Sequence, residues 1–403
     1  MTRIVLASAM LLLVLCSRAN AQSSPWQREE RTSGGWTFTP GTAAGVLRDS
    51  GLQSGGDSSL FKSWVGTASP QAELDYNGRL SHASFGYASM LEKYWGAGTR
   101  WDQYAHAGVR RAMSPHVNVA GNFSFARVPT TDRLESADSQ PFALGVLPFA
   151  DVHAQTITTS GDVSWRASAR TNLFASYQFQ RLTLDKGAIG GFGALHDGYS
   201  HTPSVGFTRD FTSRLSVGAT AAYSREYVDE GFNQFDVRSL TGEFVYRWSP
   251  VLSISGGGGA SVVETLVTGE QATSPTFHGG FTRTMRVWTL AAGYERSVQQ
   301  LFGFGTLAPT HVVTGDAFIP FANRLYYLDA TVAYGKTGTF SDLPLGFNLS
   351  TLWTNVSIGR QLAPRLRAEA FVGVARQASQ GFDTANRTRV GIQIVTSKPL
   401  RIQ

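Results

Sequence analysis

Three small groups of residues in this chain have the types and spacing to do nucleophilic or acid-base chemistry. His82-Ala83-Ser84 sets an imidazole and a hydroxyl on one face of an extended segment, where a base could activate a nucleophile. Glu73-Leu74-Asp75 sets two carboxylates on one face in the same way, and His196-Asp197 joins a base to an acid in a loop-like stretch. None of the three comes with the third partner that a localised catalytic set requires, and no His, Asp or Glu group has metal-ligand spacing. Catalytic, cofactor and metal sites are therefore expected to be absent, and the chain reads as a non-enzyme. Lumen-facing acids in a wide pore are ordinarily solvated or paired with Arg.

The elements that would position these residues are strands. From Trp36 onward the chain repeats, about eighteen times, an alternating apolar and polar stretch followed by a small polar turn. Val117, Val119, Gly121, Phe123 and Phe125 interleave with Asn118, Ala120, Asn122, Ser124 and Ala126. A period of two sends the first set to one face and the second to the other. Eight tight connections stand at Asn77-Gly78-Arg79, Ser114-Pro115-His116, Ser168-Ala169-Arg170, Thr212-Ser213-Arg214, Ser249-Pro250-Val251, Thr284-Met285-Arg286, Ala322-Asn323-Arg324 and Ala363-Pro364-Arg365. These hairpins make sixteen strands. A stretch over 36–48 before them and one over 387–396 after them, the latter with Val390, Ile392 and Ile394 on one face, make eighteen. The first, second and twelfth are weakly patterned, so sixteen stays open. Nine longer connections alternate strictly with the short ones, as periplasmic turns and extracellular loops do in transmembrane barrels. The expected fold is all-β: a transmembrane, antiparallel, up-and-down β-barrel.

The N-terminus reads as an export signal over residues 1–21: a positive start at Arg3, an apolar core over 4–15, and the small-x-small run Ala19-Asn20-Ala21. Its removal would take away Cys16, the only cysteine, and with it disulfide and thiolate chemistry. Residues 22–35 read as a flexible periplasmic tail, 36–397 as the barrel and 398–403 as a C-terminal tail. The formal charge of +6 comes from basic residues scattered singly, which excludes nucleic acid as a partner and supports at most a mild anion preference.

Charge also sorts by phase. Glu73, Asp75, Asp162, Arg166, Glu243, Arg247, Glu295, Asp329, Arg367, Glu369 and Arg389 fall on the polar phase of their strands and are expected to line the pore. Arg111 and Arg209 break the phase, close to turns where they can snorkel. Two aromatic girdles are expected. Trp165, Tyr246, Trp248, Trp288 and Tyr326 stand by the short turns, and Trp101, Tyr223, Tyr294, Tyr334 and Trp353 stand toward the long loops. Glycines 256–259 have no helix behind them to make a phosphate loop; they permit a bend or close cover by neighbouring aromatics.

Two long loops are oddly apolar. Residues 141–150, with Phe142, Leu144, Val146, Leu147 and Phe149, carry no charge, and Leu301-Phe302-Gly303-Phe304-Gly305 is similar. Solvated loops are rarely so greasy, and an expected role for the first is to turn inward as a constriction.

Turns such as Met113-Ser114-Pro115 and Trp248-Ser249-Pro250 between ten-residue strands make the chain resemble the β-barrel porin family of the Gram-negative outer membrane, including the type associated with exopolysaccharide loci. The resemblance covers most of residues 36–397. Many such barrels end in an aromatic residue that assists assembly, whereas this chain ends Pro399-Leu400-Arg401-Ile402-Gln403. His82-x-Ser84 also resembles the pair in outer-membrane phospholipases, without the rest of that family's pattern. The porin resemblance implies location in the outer membrane, with its lipid and the barrel-assembly machinery as partners. It implies passage of small hydrophilic solutes, with polysaccharide export or display as the alternative.

Overall fold

The computed structural model describes residues 35–51, 63–96, 98–129, 153–185, 196–228, 233–301, 305–340, 348–379 and 382–402. Eighteen antiparallel strands form one closed barrel. The first nine are β1 (Gly35–Asp49), β2 (Ser63–Asn77), β3 (Ser81–Tyr94), β4 (Gly98–Ala112), β5 (Val117–Pro129), β6 (His153–Arg166), β7 (Thr171–Leu184), β8 (Gly198–Asp210) and β9 (Leu215–Val228). The rest are β10 (Asn233–Ser249), β11 (Leu252–Thr265), β12 (Gln271–Thr284), β13 (Thr289–Leu301), β14 (Thr306–Phe321), β15 (Tyr326–Thr337), β16 (Leu349–Ala363), β17 (Leu366–Ser379) and β18 (Phe382–Ser397). Each pairs with its neighbours in sequence, and β1 closes on β18 over Gly41↔Ser397 to Asp49↔Arg389. A short β19 (Leu400–Ile402) resumes pairing with β1 at Trp36, Thr37 and Phe38. Leu400–Ile402 thus pair with the wall, within the stretch over 398–403 that the sequence reading took as a C-terminal tail.

All eight tight connections join consecutive strands, which settles the strand number at eighteen. Four of them share one device. Ser114 Oγ accepts the backbone N–H of His116 and of Val117, and Ser168, Thr212 and Ser249 do the same two and three residues on. A side-chain oxygen bonded to its own turn supplies locally what a backbone turn would otherwise provide. The β14–β15 turn works differently, holding Ala322, Asn323 and Arg324 at φ of 48°, 55° and 68°.

Strands of 12 to 17 residues exceed the roughly 9–11 that span hydrocarbon, so the walls continue into what the sequence reading took as loops. The weak patterning of three strands has causes in the wall itself. Pro40 in β1, Pro70 in β2 and Pro275 in β12 interrupt the alternation with residues that cannot donate to the ladder. The outward face is apolar along its middle: Phe85, Phe123, Val163, Val205, Phe244, Phe281, Val313, Val356 and Ile392 are all exposed large apolar residues on the outward phase. Such a surface could not stand in water and fits a hydrocarbon surround.

Gly256 and Gly258 face outward in β11 beneath Phe244 and Phe277, and Gly257 faces inward against the His278 ring. A Cβ on Gly257 would sit 2.3 Å from that ring, so close aromatic cover explains the run. One girdle residue was misplaced. Trp353 shares its phase with Asn355 and Thr351 and is buried inside with Val312, Ala333 and Ala375. Its near-terminal position imitated an interfacial anchor, while register points it inward.

Candidate functional site

The inner wall is where polar chemistry collects. All eleven residues expected on the pore face project inward: Glu73 and Asp75 across from Thr39 and Thr37, Asp162 across from Ala120, Glu243 across from Gly257, Glu295 across from His278, Asp329 across from Ser357, and Glu369 across from Gln393. Arg166, Arg247, Arg367 and Arg389 share the inward phase. Two of these arginines are already neutralised. Arg367 Nε stands 2.7 Å from Glu369 Oε1, and Arg389 is buried among carboxylates. Glu369 also accepts from Tyr327 Oη and from Gln393 Nε2.

Several inward charges were not picked out from the sequence: Asp49, Glu92, Asp102, Asp210, Glu226, Asp316, Arg100, Arg110 and Arg387. Over strand residues with described side chains, thirteen carboxylates therefore face inward, and only Asp236 and Glu264 face outward. Lys and Arg divide the other way, seven inward and thirteen outward. The positive formal charge of the chain thus sits on its outside, while its inside is acidic.

At the long-loop end the inner wall is packed rather than wet. Asp49, Glu92, Tyr94, Arg100, Asp102, Arg387 and Arg389 are buried there on β1, β3, β4 and β18. Arg387 Nη2 reaches Asp49 Oδ2 at 2.6 Å, and Arg389 donates to Asp49 Oδ2 at 3.1 Å and to Glu92 Oε1 at 2.5 Å. The Tyr94 hydroxyl, at the centre, donates to Glu92 Oε2 at 2.8 Å and lies 3.0 Å from Arg100 Nη1. Asp49 meets Arg387 and Arg389 across the β18–β1 seam, the last join in the barrel, and Glu92 links Arg389 to Arg100, so that with Asp102 three carboxylates stand among three guanidiniums.

Removing one buried partner strands the others, at a cost of about 3–5 kcal/mol. Asp49→Ala is therefore expected to lower the urea midpoint of the folded barrel markedly. Truncating half-buried Arg247, for which no ion pair is seen among the described residues, should leave that midpoint nearly unchanged, and equal midpoints for the two variants would contradict the clasp.

Away from this clasp, the β13–β14 hairpin packs onto the inner wall. β13 pairs with β12 only up to Arg296, whereas Ser297 to Leu301 continue pairing with Thr306 to Thr310 of β14. These two paired segments have left β12. Leu307 is buried against Val228, Phe235, Val237, Val263, Ala272 and Phe340, with Val298 packed on the same cluster. The inner faces of β9 to β12 are thereby covered by a segment rooted between β12 and β15. Gly305, at φ 70°, lies so close to the His196 ring that a Cβ would approach it to 2.8 Å. Only glycine combines that dihedral with that contact.

No protein-family model and no curated protein matches the sequence. Among solved structures, the chain is similar to OccAB4 of Acinetobacter baumannii, at 9% identity and a TM-score of 0.48, covering 93% of this chain and 100% of that one. It is also similar to the outer membrane protein OpdK of Pseudomonas aeruginosa, at 10% identity and a TM-score of 0.44, covering 90% and 99%. The siderophore receptor PiuA of Acinetobacter baumannii gives 8% identity and a TM-score of 0.45, covering 90% and 82%.

The small groups that prompted catalytic readings have structural surroundings. His82 and Ser84 point into the barrel, away from any surrounding acyl chain, so the pair does not sit where a barrel lipase would meet its substrate. Asp197 Oδ1 accepts the Leu184 N–H at 2.8 Å, and His196 abuts Gly305, so this pair braces the loop end of β7 and β8. Among the described residues no group of three His, Cys, Asp or Glu is placed to hold a metal ion. The expected constriction residues Phe142, Leu144, Val146, Leu147 and Phe149 lie outside the described residues. The inward apolar packing among the described residues comes instead from the strands that flank the second apolar loop.

Proposed function

We propose that this barrel is a passive channel of the Gram-negative outer membrane for small hydrophilic solutes, with a preference for positively charged ones. A barrel of 16 to 18 strands is too wide for its side chains to fill along its whole height, which leaves an aqueous lumen. The observation that carries the charge preference is the segregation just described: carboxylates inward, Lys and Arg outward. Fixed charges lining a low-dielectric passage raise the local concentration of counter-ions and bias which ion occupies it. The clasp is internally neutral, so the bias comes from the remaining inner wall, where Glu73, Asp75, Asp162, Glu243, Glu295, Asp316 and Asp329 outnumber Arg110, Arg166 and Arg247. Net charge of the whole chain points toward anions; the inner wall points toward cations, and the inner wall is what a permeating ion meets.

The β13–β14 hairpin supplies the narrowing, as an apolar bar at the long-loop mouth. A mouth packed in this way suits single small solutes better than a polymer duct, which weighs against the polysaccharide-export reading of the exopolysaccharide-associated type.

Replacing Glu73, Asp162, Glu243 and Glu295 by their amides tests the charge preference. In planar bilayers under a salt gradient the reversal potential should move toward the anion limit, with the barrel still heat-modifiable. A conducting variant whose reversal potential equals that of the wild type would remove these carboxylates from the pathway.

A further inference from the structure

The thirteen outward cations are not spread evenly over the outer surface. Arg111, Arg209, Arg283 and Arg360 stand near the short turns, and the last three lie over Phe211, Trp288 and Tyr326 respectively. The other nine gather at the long-loop rim in a regular series. Arg48, Lys93, Arg127, Arg181, Arg225, Lys336 and Arg376 each stand no more than three residues from the end of β1, β3, β5, β7, β9, β15 and β17. Arg296 is the last residue of β13 in register with both neighbours. Every strand that rises toward a long loop therefore ends in an outward cation except β11, which carries Glu264, and that carboxylate is bound by outward Arg238 at 3.2 Å.

Such a belt is costly unless something answers it. Charge on the lipid-facing surface is tolerated only near the interface, and like charges repeated around a rim repel one another. Arg225 is answered by Asp236 at 2.8 Å. Lys93, Arg127, Arg181, Lys336 and Arg376 are exposed, and among the described residues no carboxylate pairs with any of them. Their height coincides with the girdle aromatics Trp64, Trp101, Tyr199 and Tyr334, where head groups meet acyl chains.

We propose that this belt docks the phosphorylated glycolipid of the outer leaflet, its phosphates lying against Lys93, Arg127, Arg181, Lys336 and Arg376. Guanidinium and ammonium groups bind phosphate oxygens by charge-assisted hydrogen bonds, and neighbouring glycolipid phosphates would bridge successive odd strands. The half-buried Tyr199 and Tyr227 rings, on the outward phase and stacked at 4.5 Å beside Arg181 and Arg225, offer aromatic surface to the sugar backbone. The proposal rests on the membrane reading above and adds the chemistry of the lipid that surrounds the rim.

The test uses full-length refolded protein in detergent, offered lipid A, lipid A stripped of its phosphates, or phosphatidylglycerol, with retention read by native mass spectrometry. Wild type should retain lipid A about tenfold or more over the dephosphorylated form, as expected when several surface cations each contribute to anionic-lipid binding. Changing the five belt residues to Gln should abolish that preference, while R209Q/R283Q/R360Q at the opposite rim should keep it. If the fivefold variant does not fold, the pairs R127Q/R181Q and K336Q/R376Q should each lose part of the preference.

Equal retention of the phosphorylated and dephosphorylated forms by wild type, or undiminished preference in a folded belt variant, would overturn the belt. Phosphatidylglycerol retained as well as lipid A would overturn the assignment to glycolipid. Failure of wild type to insert into vesicles at all would instead remove the membrane reading, a result separable from any lipid preference.

Discussion

Leu307→Asp is expected to raise single-channel conductance several-fold. The side chain it replaces is fully buried in the cluster of Val228, Phe235, Val237, Val263, Ala272 and Phe340 that holds the β13–β14 hairpin against the inner wall. An unpaired carboxylate in that cluster would cost several kcal/mol, more than the hairpin's remaining contacts can offset, and the tip would swing out into solvent. Nothing in the β12–β13 ladder opposes the movement, because pairing there already stops at Arg296. A passage is limited by its narrowest segment, so removing the bar acts on conductance directly.

Leu307→Ala provides the graded version. It leaves a cavity worth about 2–5 kcal/mol but no charge, so the tip should fluctuate rather than leave, and the trace should show added open-state noise. Heat-modifiability should survive in both variants, since the eighteen-strand ladder is untouched. A Leu307→Asp channel of wild-type conductance would place the narrowest segment elsewhere, with residues 141–150 the next place to look.

The second large effect concerns which way β5 faces. Phe123→Arg should block insertion of refolding protein into vesicles, whereas Ser124→Arg should insert normally. The two positions are adjacent in sequence and opposite in environment. Phe123 is exposed on the outward phase, and Ser124 stands inward across from His106 and Thr158. An arginine at the lipid-facing midplane costs roughly 2–4 kcal/mol, while one in an aqueous lumen costs little. The readout is the gel-shifted folded fraction after refolding. Equal fractions for the two variants would mean that the alternation was read in the wrong phase, and with it the whole inner wall.

The strand ladder was legible in the sequence because a barrel wall obeys one rule throughout. Period-two alternation names the faces, and turn residues name the ends. The eight turns followed from Ser, Thr, Pro, Asn and Gly at positions where the chain must reverse, and Ser114, Ser168, Thr212 and Ser249 show the physical reason in their own hydrogen bonds.

What alternation could not give is the departure of a strand from the wall. The apolar run from Leu301 to Gly305 was visible, yet the inward bend of β13 and β14 depends on a cluster assembled from β9 to β12, residues far away in sequence. The clasp was hidden for a similar reason. Asp49 and Arg387 are 338 residues apart and meet only because the first and last strands close on each other. Trp353 failed in the opposite sense: an aromatic near a strand end fits the girdle rule, but its partners across the ladder, Ala333 and Ala375, place it inside. The lopsided distribution of charge was also within reach of the alternation rule, since every Arg, Lys, Asp and Glu on a strand takes its face from its phase.

The most direct measurement of the central claim is the zero-current potential of the unmodified protein in a planar bilayer, with a tenfold gradient of potassium chloride across it. The inner wall predicts a potential whose sign reports preferential passage of potassium, shrinking as ionic strength rises and the carboxylates are screened. A potential of the opposite sign, or none in a membrane that conducts through this protein, would contradict an acid-lined passage.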